Sequence, residues 1–226
     1  MTQRTTQDWH QRYLQQASWT RDLRRYLFAQ VGMEKAARVI EIGCGTGAIL
    51  SDILDSNPSG VYGLDISAAN LRLAAETSGG CHLTHGDALN LPFESGTFDL
   101  VLCHYFLLWV SYPGRGLAEM RRITRPGGYV IALAEPDYGG RIDFPSPLDE
   151  LGILQTRSLT NQGADVHMGR KLSGLFSSAG LVEIQAGVLG NYWSEPPGEE
   201  DRKLEWDVLV DDILEYKPGM DLTDYQ

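Results

Sequence analysis

Basic residues are scarce in this chain: 19 Lys and Arg stand against 30 Asp and Glu, for a formal charge of −11. Nucleic acids and anionic membranes both call for clustered cations, so neither is an expected general partner. Cysteine is scarcer still. Cys44, Cys81 and Cys103 are scattered, odd in number and without CxxC spacing. They make no disulfide framework and no zinc site, and they imply a reducing, cytoplasmic compartment. The histidines His10, His82, His85, His104 and His167 show neither HxH nor HxxxH spacing, so no metal is expected. Long hydrophobic runs are missing too. The start, MTQRTTQDWHQRY, has no apolar stretch of the signal-peptide kind, and the run from Tyr105 to Val110 is far too short to cross a bilayer.

What remains is ordinary for a globular chain: 226 residues, 42% hydrophobic and 22% charged, enough for one substantial core. The charge is uneven. Residues 1–38 hold seven Arg or Lys against three acids, and residues 195–226 hold eleven acids against three bases. The basic segment could steer an anionic substrate, although solvated helix faces explain it more simply.

Helical periodicity covers residues 8–31, with Trp9, Tyr13, Leu14, Leu23, Leu27 and Phe28 as the apolar set. Strand patterns follow at about 37–43, 60–66, 81–86, 98–104 and 128–135, with helical stretches at about 48–56, 68–77 and 114–124. Such alternation predicts an α/β fold, doubly wound around a mainly parallel sheet. The Gly/Pro-rich stretch 137–147 reads as a loop, followed by helices at about 147–161 and 170–179, a sixth strand at 181–190 and an acidic last helix at 199–216.

The chemistry concentrates at Val39–Gly47, VIEIGCGTG. A buried strand ends in an acid, Glu41, and Gly43, Gly45 and Gly47 then permit a tight turn that a ligand can approach without meeting a Cβ. Strand, glycine turn and helix in that order form a nucleotide cradle. The spacing also fits the dinucleotide fingerprint GxGxx(G/A), but Glu41 and the early third glycine at Gly47 resemble motif I of the class I S-adenosylmethionine (SAM) methyltransferases. Asp65, 22 positions after Gly43, stands where a carboxylate can accept from both ribose hydroxyls, or simply cap the next helix. GDALNLPFESGTFDLV (86–101) and RPGGYVIALAEP (125–136) extend the resemblance over residues 37–136. They are similar to the small-molecule methyltransferases of the ubiquinone/menaquinone biosynthesis type.

That resemblance implies a Rossmann-like, class I methyltransferase fold with helical lid insertions and SAM as cofactor. It divides the chain into a helical cover (1–36), a SAM-binding core (37–136), a substrate lid (137–180) and a sixth strand with an acidic helix (181–226). It assigns Glu41 and Gly43 to the cofactor's methionine end, Asp65 to the ribose, and Asp87 with Ala88 to the adenine, with Gly45, Gly47, Ile66 and His104 also on the cofactor. Asp87 alternatively serves as a turn residue. His104 and Tyr105, closing the fourth strand, face the transferred methyl in such a fold, with His104 a base or a packing residue. Glu135 is a catalytic candidate, as is Asp137, with loop capping the alternative for both. Tyr13, His167 and Arg170 are candidates for the acceptor side. The expected reaction is in-line methyl transfer to a small molecule, without metal. An NAD(P)-dependent dehydrogenase and a non-catalytic SAM-binding module are the rival readings.

Overall fold

A computed structural model describes residues 4–144, 146, 148–188 and 196–225. Five strands form one sheet: β1 (Val39–Ile42), β2 (Val61–Asp65), β3 (His82–His85), β4 (Phe98–His104) and β5 (Thr124–Leu133). Their order is β3-β2-β1-β4-β5, and every pairing is parallel. Around them lie α1 (Thr6–Trp19), α2 (Arg21–Gln30), α3 (Leu50–Asp55), α4 (Ala68–Thr77), α5 (Pro113–Ile123), α6 (Leu148–Asn161), α7 (Met168–Ser178) and α8 (Glu199–Tyr216). The sheet is doubly wound. Ile40, Ile42, Val101 and Cys103 pack one face, toward α5 and α7, with Leu117, Met120 and Phe176. Val39, Leu100, Leu102 and Leu133 pack the other, with Phe28, Leu50 and Ile53 from α2 and α3. β1 is buried at all four positions, which its apolar sequence requires of a central parallel strand.

The single helical pattern at 8–31 is two helices. Thr5 and Asp8 make a capping box that starts α1. The break falls at Thr20 (φ −110°, ψ 10°), whose hydroxyl accepts from Arg24 (2.6 Å) and bonds the ring of His104 (2.8 Å). The face that α1 buries is also unexpected. Trp9 and Leu14, two of its apolar residues, are exposed, whereas His10, Arg12 and Gln15 are buried with Ala17. Its inner face is polar because it covers a polar site rather than the core.

The sixth strand is a correction. Leu181–Val188 has no strand structure: Glu183 takes φ 54°, and Val182 and Val188 are 82% and 99% exposed. A left-handed residue cannot extend a strand, so the apolar alternation at 182, 184 and 188 has no sheet edge to pack on. The rest of that expectation, 189–190, lies outside the described residues. Among the described residues β5 therefore pairs only with β4. α8 forms from the acidic segment as expected and packs on α6 through Ile213 and Leu151, with Leu222 from the segment after α8 joining the cluster.

Among the described residues, two ion pairs join the basic and acidic segments of the chain. Arg4 on the amino-terminal side bonds Asp211 (2.8 Å), Arg12 pairs with Glu205, and Gln15 donates to the Asp201 carbonyl (2.7 Å). α8 thus clamps α1.

Candidate active site

β1 delivers its acid to the centre of the sheet, where Glu41 sits between Gly63 of β2 and Leu102 of β4. The turn that follows has φ of 73°, 53° and 82° at Gly43, Gly45 and Gly47. These values explain why glycine stands at all three positions. The turn hangs on β2, since Gly43 N and Cys44 N both donate to the Leu64 carbonyl at 2.7 and 3.0 Å. Gly47 is also closed in from the side: an added Cβ would lie 2.6 Å from Ser78 Oγ and 3.3 Å from the Ala74 Cβ. Gly47→Ala is expected to cost about 1–3 kcal/mol from backbone strain and crowding together. Urea unfolding of the purified variant measures it, and an unchanged midpoint would show that the turn tolerates a side chain.

Glu41 is almost fully buried, and its Oε2 has no hydrogen-bond partner. It is the only such buried side-chain atom among the described residues. Burial pushes its carboxyl up to about 8, against the pull of the Arg24 guanidinium, with Asp65 and Asp52 adding to the rise. Asp65 braces the turn. Its Oδ2 accepts from Gly45 N and its Oδ1 from Ser67 N, both at 2.8 Å. The cap of α4 is Ser67, not Asp65. Ile66, next in line, is 71% exposed, and its carbonyl bonds the His85 ring (2.8 Å). Asp87 makes the local turn through Leu89 N (2.8 Å), with Ala88 beside it.

Three side chains lie over the glycine turn. The Phe106 ring occupies the space any Cβ on Gly43 would need, the Tyr13 ring rests above Gly45, and His10 bonds Thr46 Oγ1 at 2.8 Å. Tyr13 therefore belongs to the cradle beside Asp65, whose charge joins burial in raising its phenol. It does not line the neighbouring cavity.

At the carboxyl ends of β4 and β5, Tyr105 (φ 49°) and Ala134 (φ 56°) are both left-handed, and strain of this kind gathers at functional sites. His104 is held neutral: burial, then the nearby Arg24 charge, drive it down to about 3, and its Nε2 is engaged by Thr20. Arg24 is itself fully buried and pairs with Asp52. Glu135 has a structural role. Its carboxylate accepts from the backbone N–H groups of Phe106, Leu107 and Leu108 at 2.9–3.0 Å, capping the short helix that places Phe106.

Asp137 is tied to Arg170 through two bonds (2.5 and 2.8 Å) and to His167 (3.3 Å). The Arg170 bond is the main reason its carboxyl falls to about 2. His167 and Arg170 thus fasten the loop after β5 to the start of α7 rather than facing the cavity.

That cavity, about 270 Å³, opens beside Tyr105. Arg12, Gln16 and Trp19 line it from α1, and Tyr138, Arg141 and Gln155 from the loop after β5 and α6. Sequence pattern alone does not select Arg12, Gln16, Tyr138 or Arg141. The signal present is the spacing of residues 12, 16 and 19, one helix face whose polar members look like solvated surface. Among the described residues no group of three or more His, Cys, Asp or Glu could hold a metal, and no helix is long and apolar enough to cross a membrane.

Residues 40–132 match the family model for a methyltransferase domain. The chain is 32% identical over 175 residues to a demethylmenaquinone methyltransferase of Bacillus pumilus, covering 68% of this chain and 74% of that protein. It is 29% identical over 205 residues to an uncharacterized methyltransferase of Schizosaccharomyces pombe, covering 85% and 73%. Matches to curated relatives span from 48% to 78% of their own length. Among solved structures it resembles the SAM-dependent methyltransferase, possible histamine N-methyltransferase, of Thermotoga maritima. That match has 26% identity and a TM-score of 0.52, over 74% of this chain and 70% of that one. With the parallel sheet, the glycine turn and its acid in place, the chain belongs to the class I SAM-dependent methyltransferase family, of the quinone-methyltransferase type.

Proposed function

We propose that this chain binds SAM at the Glu41–Gly47 turn and directs its methyl group to a small-molecule acceptor by in-line displacement, without a metal. The observation that carries the reading is Glu41 Oε2, a buried carboxylate oxygen lacking a partner at the base of the turn. An amino-acid ammonium satisfies such an oxygen, and SAM has one where a nicotinamide dinucleotide does not. Asp65 retains lone pairs for ribose hydroxyls beyond those used by Gly45 and Ser67. The exposed Ile66 offers an apolar face to adenine, next to Asp87 and Ala88.

When bound, SAM supplies a methyl group already activated by its sulfonium. The chain's part is to align the acceptor and exclude water. Phe106, Tyr13 and α1 cover the turn for that purpose. Among the described residues neither candidate at the strand ends is a strong base: His104 is too weak at neutral pH, and Glu135 is committed to the backbone. Tyr105, whose phenol burial holds up to about 12, stays protonated and serves as a hydrogen-bond donor at the cavity. The segment 137–180, carrying α6 and α7, forms part of the acceptor's cover.

Calorimetric titration tests the reading. SAM and S-adenosylhomocysteine should bind in preference to NADH, and tight NADH binding with no measurable SAM binding overturns it. Transfer of labelled methyl to an added acceptor separates an enzyme from a non-catalytic binding module.

A further inference from the structure

On the methyltransferase reading, the cavity beside Tyr105 receives the acceptor, and its walls describe that acceptor's chemistry. At about 270 Å³ it falls below the roughly 300–1,000 Å³ usual for ligand pockets. Two guanidiniums enter it from different walls, Arg12 from α1 and Arg141 from the loop after β5, and two carboxylates line it as well, Glu205 paired with Arg12 and Asp137 paired with Arg170 outside the lining. Each is anchored through part of its guanidinium. Arg12 bonds Gln15 and Glu205 through Nη1 and lies 4.9 Å from the centroid of the Trp19 ring. Arg141 uses Nε for Asp143 (2.6 Å) and Nη1 for Gln155 (2.5 Å). Among the described residues neither Nη2 has a hydrogen-bond partner, so each fork retains donors for a ligand.

Flat rings line the same cavity, Trp19, Tyr105 and Tyr138. The two phenols lie close enough for Tyr138 to help raise Tyr105, and Arg12 acts on both. An isoprenoid tail laid along these walls would desolvate guanidinium, amide and carboxylate groups and return no hydrogen bond to any of them. A carboxylate on a flat ring uses both sets of groups.

We infer that the acceptor is a small, planar, anionic molecule, a hydroxylated or aminated aromatic carboxylate, held by Arg12 and Arg141 with its ring among Trp19, Tyr105 and Tyr138. A long-tailed quinol does not fit these walls.

The test uses the full chain saturated with S-adenosylhomocysteine, its loading verified first by calorimetry. A panel of hydroxy- and aminobenzoates, their methyl esters and a hydroquinone with a multi-unit isoprenoid tail are then titrated in. At least one acid should bind tenfold or more tighter than its ester and the tailed quinol. Arg141→Gln, a change at a part-exposed loop residue, should erase that preference and leave S-adenosylhomocysteine affinity within twofold. Three results overturn the acceptor assignment: esters or tailed quinol binding as well as the acids, a carboxylate preference surviving Arg141→Gln, or no acid binding to the loaded protein. Failure of S-adenosylhomocysteine itself to bind is a different result, which removes the methyltransferase reading and the acceptor with it.

Discussion

Replacing Glu41 with Gln is expected to weaken S-adenosylhomocysteine binding by about 10- to 150-fold at pH 8, and by steadily less as the pH falls to 6. A hydrogen bond to a charged group contributes roughly 1.5–3 kcal/mol, which sets that range. The pH dependence follows from the raised carboxyl, about 8 against 4.5 for a free glutamate side chain. Below pH 8 the parent side chain increasingly carries a proton and presents no anion to the ammonium, so at pH 6 parent and Glu41→Gln converge. Stability moves the opposite way. A carboxyl raised on folding takes up protons with the folded state, so its penalty is absent below about 4.5, grows through the interval and is complete above 8. Glu41→Gln lacks that penalty. Its stability advantage without ligand should therefore widen from pH 5 to 8, by about 1.4 kcal/mol per unit at most. Denaturant unfolding of both proteins at several pH values reads the difference. A constant gap would mean that Glu41 ionises freely, and with it the cradle would lose the feature that selects an ammonium.

Glu41 lies in the part of the chain where fold is most legible from sequence. Strands β1 to β4 fall within about two residues of their expected bounds; β1, β2 and β4 are short runs buried on both faces, which leaves little else for them to become, while β3 is only part-buried and is held by its pairing with β2. β5 begins four residues before its expectation, at Thr124, because the Pro126–Gly127–Gly128 punctuation lies inside the strand, with a register irregularity between Phe98 and Leu100 opposite it. α8 matches its expected range because its acidic first turn and apolar spacing agree.

Partners brought from elsewhere in the chain are harder to read. The break at Thr20 depends on Arg24 and on His104, 84 positions away. Glu135 looks like a base at a strand end until the short helix at Leu107–Trp109 brings three N–H groups to it. The basic and acidic ends of the chain look like separate solvated surfaces until α8 lies across α1. At 181–188 alternation alone suggests a strand, but alternation cannot report whether a sheet edge is within reach, and Glu183 turns the backbone aside. In the proposed site, motif residues such as Glu41 and Asp65 are legible, while Arg12 and Arg141, the proposed acceptor contacts, are not. Their role depends on which walls meet, a property of the packed chain.

Asp65→Ala should give the other large effect, and it should strike affinity and stability together. From its place at a strand end alone, the residue could be removed without harm to the fold. The geometry adds a second role, because its two oxygens hold Gly45 N and Ser67 N at 2.8 Å, and the carboxylate so ties the glycine turn to the start of α4. Removing it leaves two backbone donors without their charged acceptor, at a cost of about 1–3 kcal/mol in unfolding free energy. Loss of the ribose contacts adds a drop of roughly 10- to 150-fold in S-adenosylhomocysteine affinity. Asp65→Asn separates the two roles. One oxygen remains to accept from one of the two backbone N–H groups while the amide NH2 faces the other, so only part of the stability should return. With the charge that strengthens the ribose bonds gone, affinity stays low. Calorimetry and urea unfolding on the three proteins decide the matter. Unchanged affinity in Asp65→Ala takes the residue out of the cofactor site. If affinity falls while the unfolding midpoint holds, the turn is held by the Leu64 carbonyl and Asp65 serves the ligand alone. Only an Asn variant that recovers part of the stability without affinity fits a carboxylate that both braces the cradle and binds within it.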